Sequence, residues 1–130
     1  MDNGGAVTHF TFTRLDRKEQ MRILDFLTSL PDQLEVQVNG RDFLLVHGSP
    51  AGDRHGRLWN GMPSERDHGF DGTVVFGHTP TWNYLGDVPR KHDVIWHGNR
   101  RIGIDCGCSS ERKGARLGCL RLDDLAEFYV

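Results

Sequence analysis

The chain has 130 residues, 16 basic and 18 acidic side chains, a formal net charge of −2 and a hydrophobic share of 37%. This allows one domain at most, with a modest core, and leaves no basic field for a nucleic-acid polymer and no cationic face for a membrane surface. No apolar run approaches the ~20 residues of a membrane span, Met1-Asp2-Asn3-Gly4-Gly5 is not a signal peptide, and three cysteines confined to the last quarter make no disulfide framework, so a reducing, cytoplasmic setting is expected.

Residues 1–14 carry Gly4-Gly5 and three threonines without a helical stripe, and read as a loop or short extended segment. A helix begins at Asp16, which stands at capping-box spacing from Glu19. Ile23, Leu24, Leu27 and Leu30 form its apolar stripe, joined by Phe26, and Pro31 stops it. Leu34, Val36 and Val38 alternate with polar residues; Asn39-Gly40 then supplies a type I′ turn, and Phe43 to Val46 returns as the second strand of a hairpin. Residues 48–72 are rich in Gly, Pro and charge, and read as a long connection with one helical turn near Pro63 to Asp67. Thr73 to Phe76 is a short buried strand, and residues 79–92 form another loop. Val94 to His97 pairs with Arg101 to Asp105 across Gly98-Asn99. Leu117 to Leu122 and Ala126 to Val130 form a last hairpin around Asp123-Asp124. There is no repeat and no low-complexity tract.

Two histidines each follow a short apolar run: Leu44-Leu45-Val46 leads into His47-Gly48, and Val74-Val75-Phe76-Gly77 leads into His78-Thr79. A buried strand that fixes the backbone and then projects an imidazole is a way to present a nitrogen to a metal. Gly48 and Gly77 remove the Cβ beside each candidate ligand, so the chain can turn sharply or approach an anion closely. The alternative is a pair of ordinary strand-end histidines. Asp105, at the end of Ile102-Gly103-Ile104, either orients a ligand imidazole or forms a turn with the backbone near Gly107. Thr79 either bonds a phosphate oxygen or caps the turn before Pro80. His9, His55, His68, His92 and His97 read as exposed or hydrogen-bonded histidines, with His97 a candidate to support the site. Cys106-Gly107-Cys108 and Cys119 lack zinc-site spacing and read as small thiols packed between strands. Trp59, Trp82 and Trp96 read as core or pocket-wall residues.

Four pieces in order carry a family resemblance: Leu44-Leu45-Val46-His47-Gly48, Leu58-Trp59, Val74-Val75-Phe76-Gly77-His78-Thr79-Pro80-Thr81, and Ile102-Gly103-Ile104-Asp105-Cys106-Gly107-Cys108. With the closing Cys119 to Asp123 and Glu127 to Val130, they resemble the second half of the calcineurin-like metallophosphoesterases, in particular the bacterial serine/threonine phosphoprotein phosphatases. That family opens with Asp-x-His, Gly-Asp-x-x-Asp-Arg-Gly and Gly-Asn-His-Asp/Glu, and none of these precedes Leu44 here. The resemblance therefore implies a partial catalytic domain over residues 1–130, without the N-terminal metal-binding motifs. Its fold class would be α/β (α+β), the C-terminal portion of a β-sandwich flanked by helices.

What the resemblance implies for function is a metal-dependent hydrolase of phosphate monoesters, attacking with metal-bound hydroxide between two divalent ions (manganese, iron or zinc). His47 and His78 would be ligands of one ion. Their nitrogens should then lie within roughly 3 to 4 Å of each other. In the family an arginine follows the Leu-Trp piece by two residues; here Gly61 stands there, and Arg57 or Arg66 could take over phosphate binding from the same loop. Substrates would be phosphorylated protein or a small phosphoester, with a diadenosine-polyphosphate hydrolase as a variant of the same chemistry. The isolated chain should be inactive and bind metal weakly. A reading from another class is a catalytically dead remnant or interaction module. A partial sandwich should also bare an apolar surface, lined by Ile23, Leu24, Leu27 and strands 43–46 and 73–76.

Overall fold

The computed structural model describes residues 5–61, 69–86 and 92–130. The chain divides into two compact units, Met1–Pro31 and Asp32–Val130.

The first unit contains helix α1 (Gly5–Phe12) and helix α2 (Arg17–Ser29). Helix α1 replaces the loop expected over residues 1–14. Within it Thr11 bonds back along the helix, its Oγ1 donating to the Val7 carbonyl at 3.1 Å. The turn into α2 is closed by Gln20, whose side-chain amide donates to the Phe12 and Leu15 carbonyls at 3.1 and 3.0 Å. Asp16 caps α2 by accepting the Glu19 N–H at 2.9 Å, which satisfies one of the first-turn donors that have no partner inside the helix. The helix ends before Pro31, and Ile23, Leu24 and Phe26 on it are exposed.

Among its described residues the second unit holds seven strands: β1 (Gln33–Val38), β2 (Arg41–Val46), β3 (Thr73–Phe76), β4 (Trp96–Gly98), β5 (Arg101–Gly103), β6 (Gly118–Leu120) and β7 (Glu127–Tyr129). Five make a mixed sheet of order β1-β2-β3-β5-β4, and β6 and β7 make a separate antiparallel pair. The three inner strands β2, β3 and β5 run parallel to one another. Asn39 and Gly40 link β1 to β2 with positive φ values of 51° and 74°, as a type I′ turn requires.

The β4–β5 pairing forms, but its turn lies at Asn99-Arg100 rather than Gly98-Asn99, since Gly98 pairs with Arg101. Arg100 holds that position at φ 55°. Its guanidinium donates to the Gly72 and Phe70 carbonyls and to Asp71 at 3.2, 3.0 and 3.0 Å. A further helix, α3 (Arg54–Trp59), sits inside the stretch read as a connection. Asp53 starts it by accepting the Gly56 N–H at 2.8 Å. The helical turn expected near Pro63 lies outside the described residues.

Alternation along the strands sorts the core into two faces. On one, Phe43, Val75 and Ile102 meet Leu120, Leu122 and Tyr129 from the β6–β7 hairpin region. On the other, Leu44, Val74 and Phe76 meet Phe70, Tyr84 and Trp96. The expected bare surface is therefore corrected for strands 43–46 and 73–76. Phe43, Leu44, Val74 and Phe76 are 3% exposed or less, so this unit covers its own inner strands. Among the described residues the fold is mixed α/β, with three helices, a mixed sheet and a small second sheet. None of those helices is long and apolar enough to cross a membrane.

Candidate metal centre

Because β2, β3 and β5 are parallel and in register, their carboxyl ends share one edge of the sheet. His47 follows β2 directly, His78 lies two residues past β3, and Asp105 lies two residues past β5. The ladder extends one step further, with the Gly77 N–H donating to the His47 carbonyl at 2.8 Å. Beyond it the chain turns tightly: the Thr79 N–H donates to the Gly77 carbonyl at 2.7 Å, and His78 between them has φ 66°. Left-handed backbone at a non-glycine residue costs on the order of 1–3 kcal/mol and persists where surroundings enforce it.

The strained turn brings His78 onto His47. Their Nε2 and Nδ1 atoms, on His47 and His78 respectively, are 3.1 Å apart, and the ring centroids are 5.0 Å apart with planes at 60°. Trp59 stands edge-on to His78, at 5.7 Å between centroids and 87° between planes. His55, one turn earlier on α3, lies 6.3 Å from the Trp59 ring. Helix α3 is tied to the His47 segment through its own carbonyl: the Gly48 and Ser49 N–H groups both donate to Arg57 O, at 3.1 and 3.2 Å. A Cβ on Gly48 would stand 2.4 Å from the Asn60 carbonyl oxygen. Gly48 thus admits the backbone at the end of α3, which accounts for it without any anion. A Cβ on Gly77 would meet only ordinary contacts, at 3.5 Å from the His47 oxygen and 3.9 Å from Asp105 Cβ.

The Asp105 carboxylate accepts the Gly107 N–H at 2.9 Å, the contact expected of a turn-forming Asp. The Thr79 backbone likewise belongs to the turn, while its hydroxyl lies 3.0 Å from where a Gly61 Cβ would be. Arg57 lies on α3 with its Nε buried and without a hydrogen-bond partner among the described residues, and Arg66 is outside them. His97 is engaged elsewhere, 2.6 Å from a Glu127 carboxylate oxygen. The cysteines divide: Cys106 is buried, whereas Cys108 and Cys119 are exposed, so packing between strands describes only the first. Burial pushes the Cys106 thiol up, which makes it a poor nucleophile.

A cleft of about 300 Å³ opens beside His78, bordered by Asp105, Cys108, Ser109 and Arg116. Arg116 went unnoticed in the sequence. Backbone pairing brings it in: Gly107 and Arg116 form an isolated parallel bridge, with the Arg116 N–H donating to the Cys106 carbonyl at 3.0 Å.

Two imidazole nitrogens 3.1 Å apart match two ligands held at ~2.1 Å from a single divalent ion. They also match a direct hydrogen bond between neutral rings. Among the described residues no group of three or more His, Cys, Asp or Glu side chains is placed to hold an ion, so the donors on hand are a pair rather than a closed set. No protein-family model matches the chain, and no curated protein sequence matches it.

Proposed function

We propose that His47 and His78 are two ligands of one divalent cation in a phosphoesterase centre of the calcineurin-like type. Its substrate is a phosphoserine or phosphothreonine protein, or a small phosphoester. The observation that carries the reading is the 3.1 Å approach of the two imidazole nitrogens. They come from separate strands and sit at the shared carboxyl edge of a parallel set, where open α/β sheets commonly place ligands. The strained turn at His78 adds support, because strain of this kind clusters at functional sites. Iron or zinc suits imidazole donors, whereas manganese would depend more on oxygen ligands from the rest of the centre. Such an ion would polarise a phosphoryl oxygen and lower the pKa of a bound water.

The chain's own residues supply two nitrogens and the indole wall of Trp59. The remaining ligands and the general acid come from groups other than the described ones. The mixed sheet with a smaller sheet on one face is consistent with a portion of a helix-flanked β-sandwich. Three free thiols suit a reducing cytoplasm.

Manganese binding tests this without turnover. The electron paramagnetic resonance signal of free Mn²⁺ should fall on adding the chain and recover in both His47→Ala and His78→Ala. A signal that falls equally with the variants rejects the paired-ligand reading. With p-nitrophenyl phosphate and manganese the chain alone should stay at background, because two imidazoles do not assemble a two-ion centre. Turnover abolished by His78→Ala would show instead that the site is complete.

A further inference from the structure

We propose that helix α2 is a self-association element: a second copy of this chain lays its own α2 antiparallel along the groove that holds Glu19 and Arg22. The proposal uses none of the residues of the phosphoesterase reading and stands apart from it.

Helices α1 and α2 bury no residue. On α2, Ile23 is 38% exposed and Phe26 62%. The apolar side of an amphipathic helix normally faces a packed neighbour, and bare apolar surface on a polar chain marks an interaction site. A groove of about 450 Å³ runs along this side, lined by Leu15, Glu19, Arg22, Ile23 and Phe26. Glu19, Arg22, Ile23 and Phe26 are spaced i, i+3, i+4 and i+7, so they share one face of the helix. Leu15 extends that face past the Asp16 cap.

The order of these side chains selects the occupant. From its N-terminal end the groove runs apolar at Leu15, acidic at Glu19, basic at Arg22 and apolar at Phe26. Reversed, it runs apolar, basic, acidic, apolar. An antiparallel copy therefore offers the complement at every step. Leu15 packs on Phe26 of the second copy, and Glu19 meets Arg22 of the second copy. Glu19 lies four positions after Leu15, and Arg22 four positions before Phe26. Both contacts thus form about one two-fold axis, and each occurs twice, as an isologous interface requires. Neither Glu19 nor Arg22 has an ion-pair partner among the described residues, so both charges are open to a partner. A carboxylate and a guanidinium set between apolar ends disfavour an indiscriminate apolar cover and reward a surface of reversed charge order. One helix laid on one helix makes a small interface, which corresponds to a Kd of about 10–100 µM.

Sedimentation equilibrium of the full chain, at concentrations up to about ten times that Kd, tests this with charge reversals. The wild type should sediment as a monomer–dimer equilibrium. Glu19→Arg and Arg22→Glu, each alone, place like charges opposite one another and should each weaken the dimer at least about tenfold. The double variant Glu19→Arg/Arg22→Glu restores opposite charges and should return the dimer to within about threefold of wild type. Asp25→Arg, on the same helix but outside the groove lining, should change it by less than about threefold. Circular dichroism checks that each variant keeps its helix; if Glu19→Arg loses it, Arg22→Glu and Phe26→Asp, which should also weaken the dimer at least about tenfold, decide the matter. A wild-type monomer throughout overturns the proposal and leaves the groove to another segment of this chain or to a different protein. A dimer indifferent to the single reversals, or one that the double variant does not restore, overturns it as well.

Discussion

The two glycines beside the histidines look equivalent in sequence and differ in space. At Gly48 an added methyl would run into backbone, 2.4 Å from the Asn60 oxygen and 3.0 Å from the Arg57 oxygen. Backbone cannot swing aside as a flexible side chain can, so Gly48→Ala should cost about 1–3 kcal/mol, the range for overpacking. Gly77 has a backbone that alanine adopts, with only ordinary contacts at its missing Cβ. Gly77→Ala should therefore be neutral, or stabilising by about 0.4–1 kcal/mol through the unfolded chain. Urea midpoints of the two variants check the contrast, and equal losses would contradict it. The histidines were legible because each follows an apolar run that can only be a short strand. Arg116 was not, because its place depends on a backbone bridge to Gly107, nine positions earlier, and no local pattern announces such a bridge.

Among the elements, those with a physical start signal were read and those without were missed. Asp16 and Glu19 mark α2, and Asn39-Gly40 marks the first hairpin. Asp16→Ala should cost about 0.5–2 kcal/mol by orphaning the Glu19 N–H; a circular-dichroism melt of the α2 signal checks this, and an unchanged melt would contradict it. Helix α1 has no apolar stripe, and α3 was hidden in a Gly-rich stretch although Asp53 caps it much as Asp16 caps α2. The β4–β5 turn moved by one residue because Arg100 finds three acceptors across from it, a tertiary reason outside the local dipeptide.

Strand β7 supplies a pH handle. Burial, then the hydrogen bond that the Tyr129 hydroxyl donates to Glu127, pushes this phenol from 10.0 up to about 12. Its oxygen accepts the Ile95 N–H at 3.1 Å. A proton held more tightly in the folded than in the unfolded chain stabilises the fold below pH 10. That stabilisation is lost as pH rises from 10 towards 12. The urea midpoint of the wild type should fall across this window more steeply than that of Tyr129→Phe, whereas parallel curves would contradict the assignment.

For the molecule as a whole, the main difference from expectation is how much of its core the Asp32–Val130 unit closes by itself. The inner strands were expected to lie bare, yet the β6–β7 region covers one face and Phe70, Tyr84 and Trp96 cover the other. Strand periodicity shows which side chains point the same way and does not show what will cover them. Alternation alone therefore could not distinguish a cut sandwich from a closed one. The topology instead concentrates its chemistry along one edge, where parallel strands deliver His47 and His78 from positions 31 residues apart to a contact of 3.1 Å.

The central claim is that this contact is a pair of ligands for one ion rather than a hydrogen bond between two rings. Long-range ¹H–¹⁵N NMR of the imidazoles during a Zn²⁺ titration tests it most directly. The account predicts that His47 Nε2 and His78 Nδ1 shift together, saturate at one Zn²⁺ per chain, and lose at least about tenfold in affinity in either alanine variant. Rings that ignore Zn²⁺, or a single ring that shifts while its neighbour does not, would contradict it.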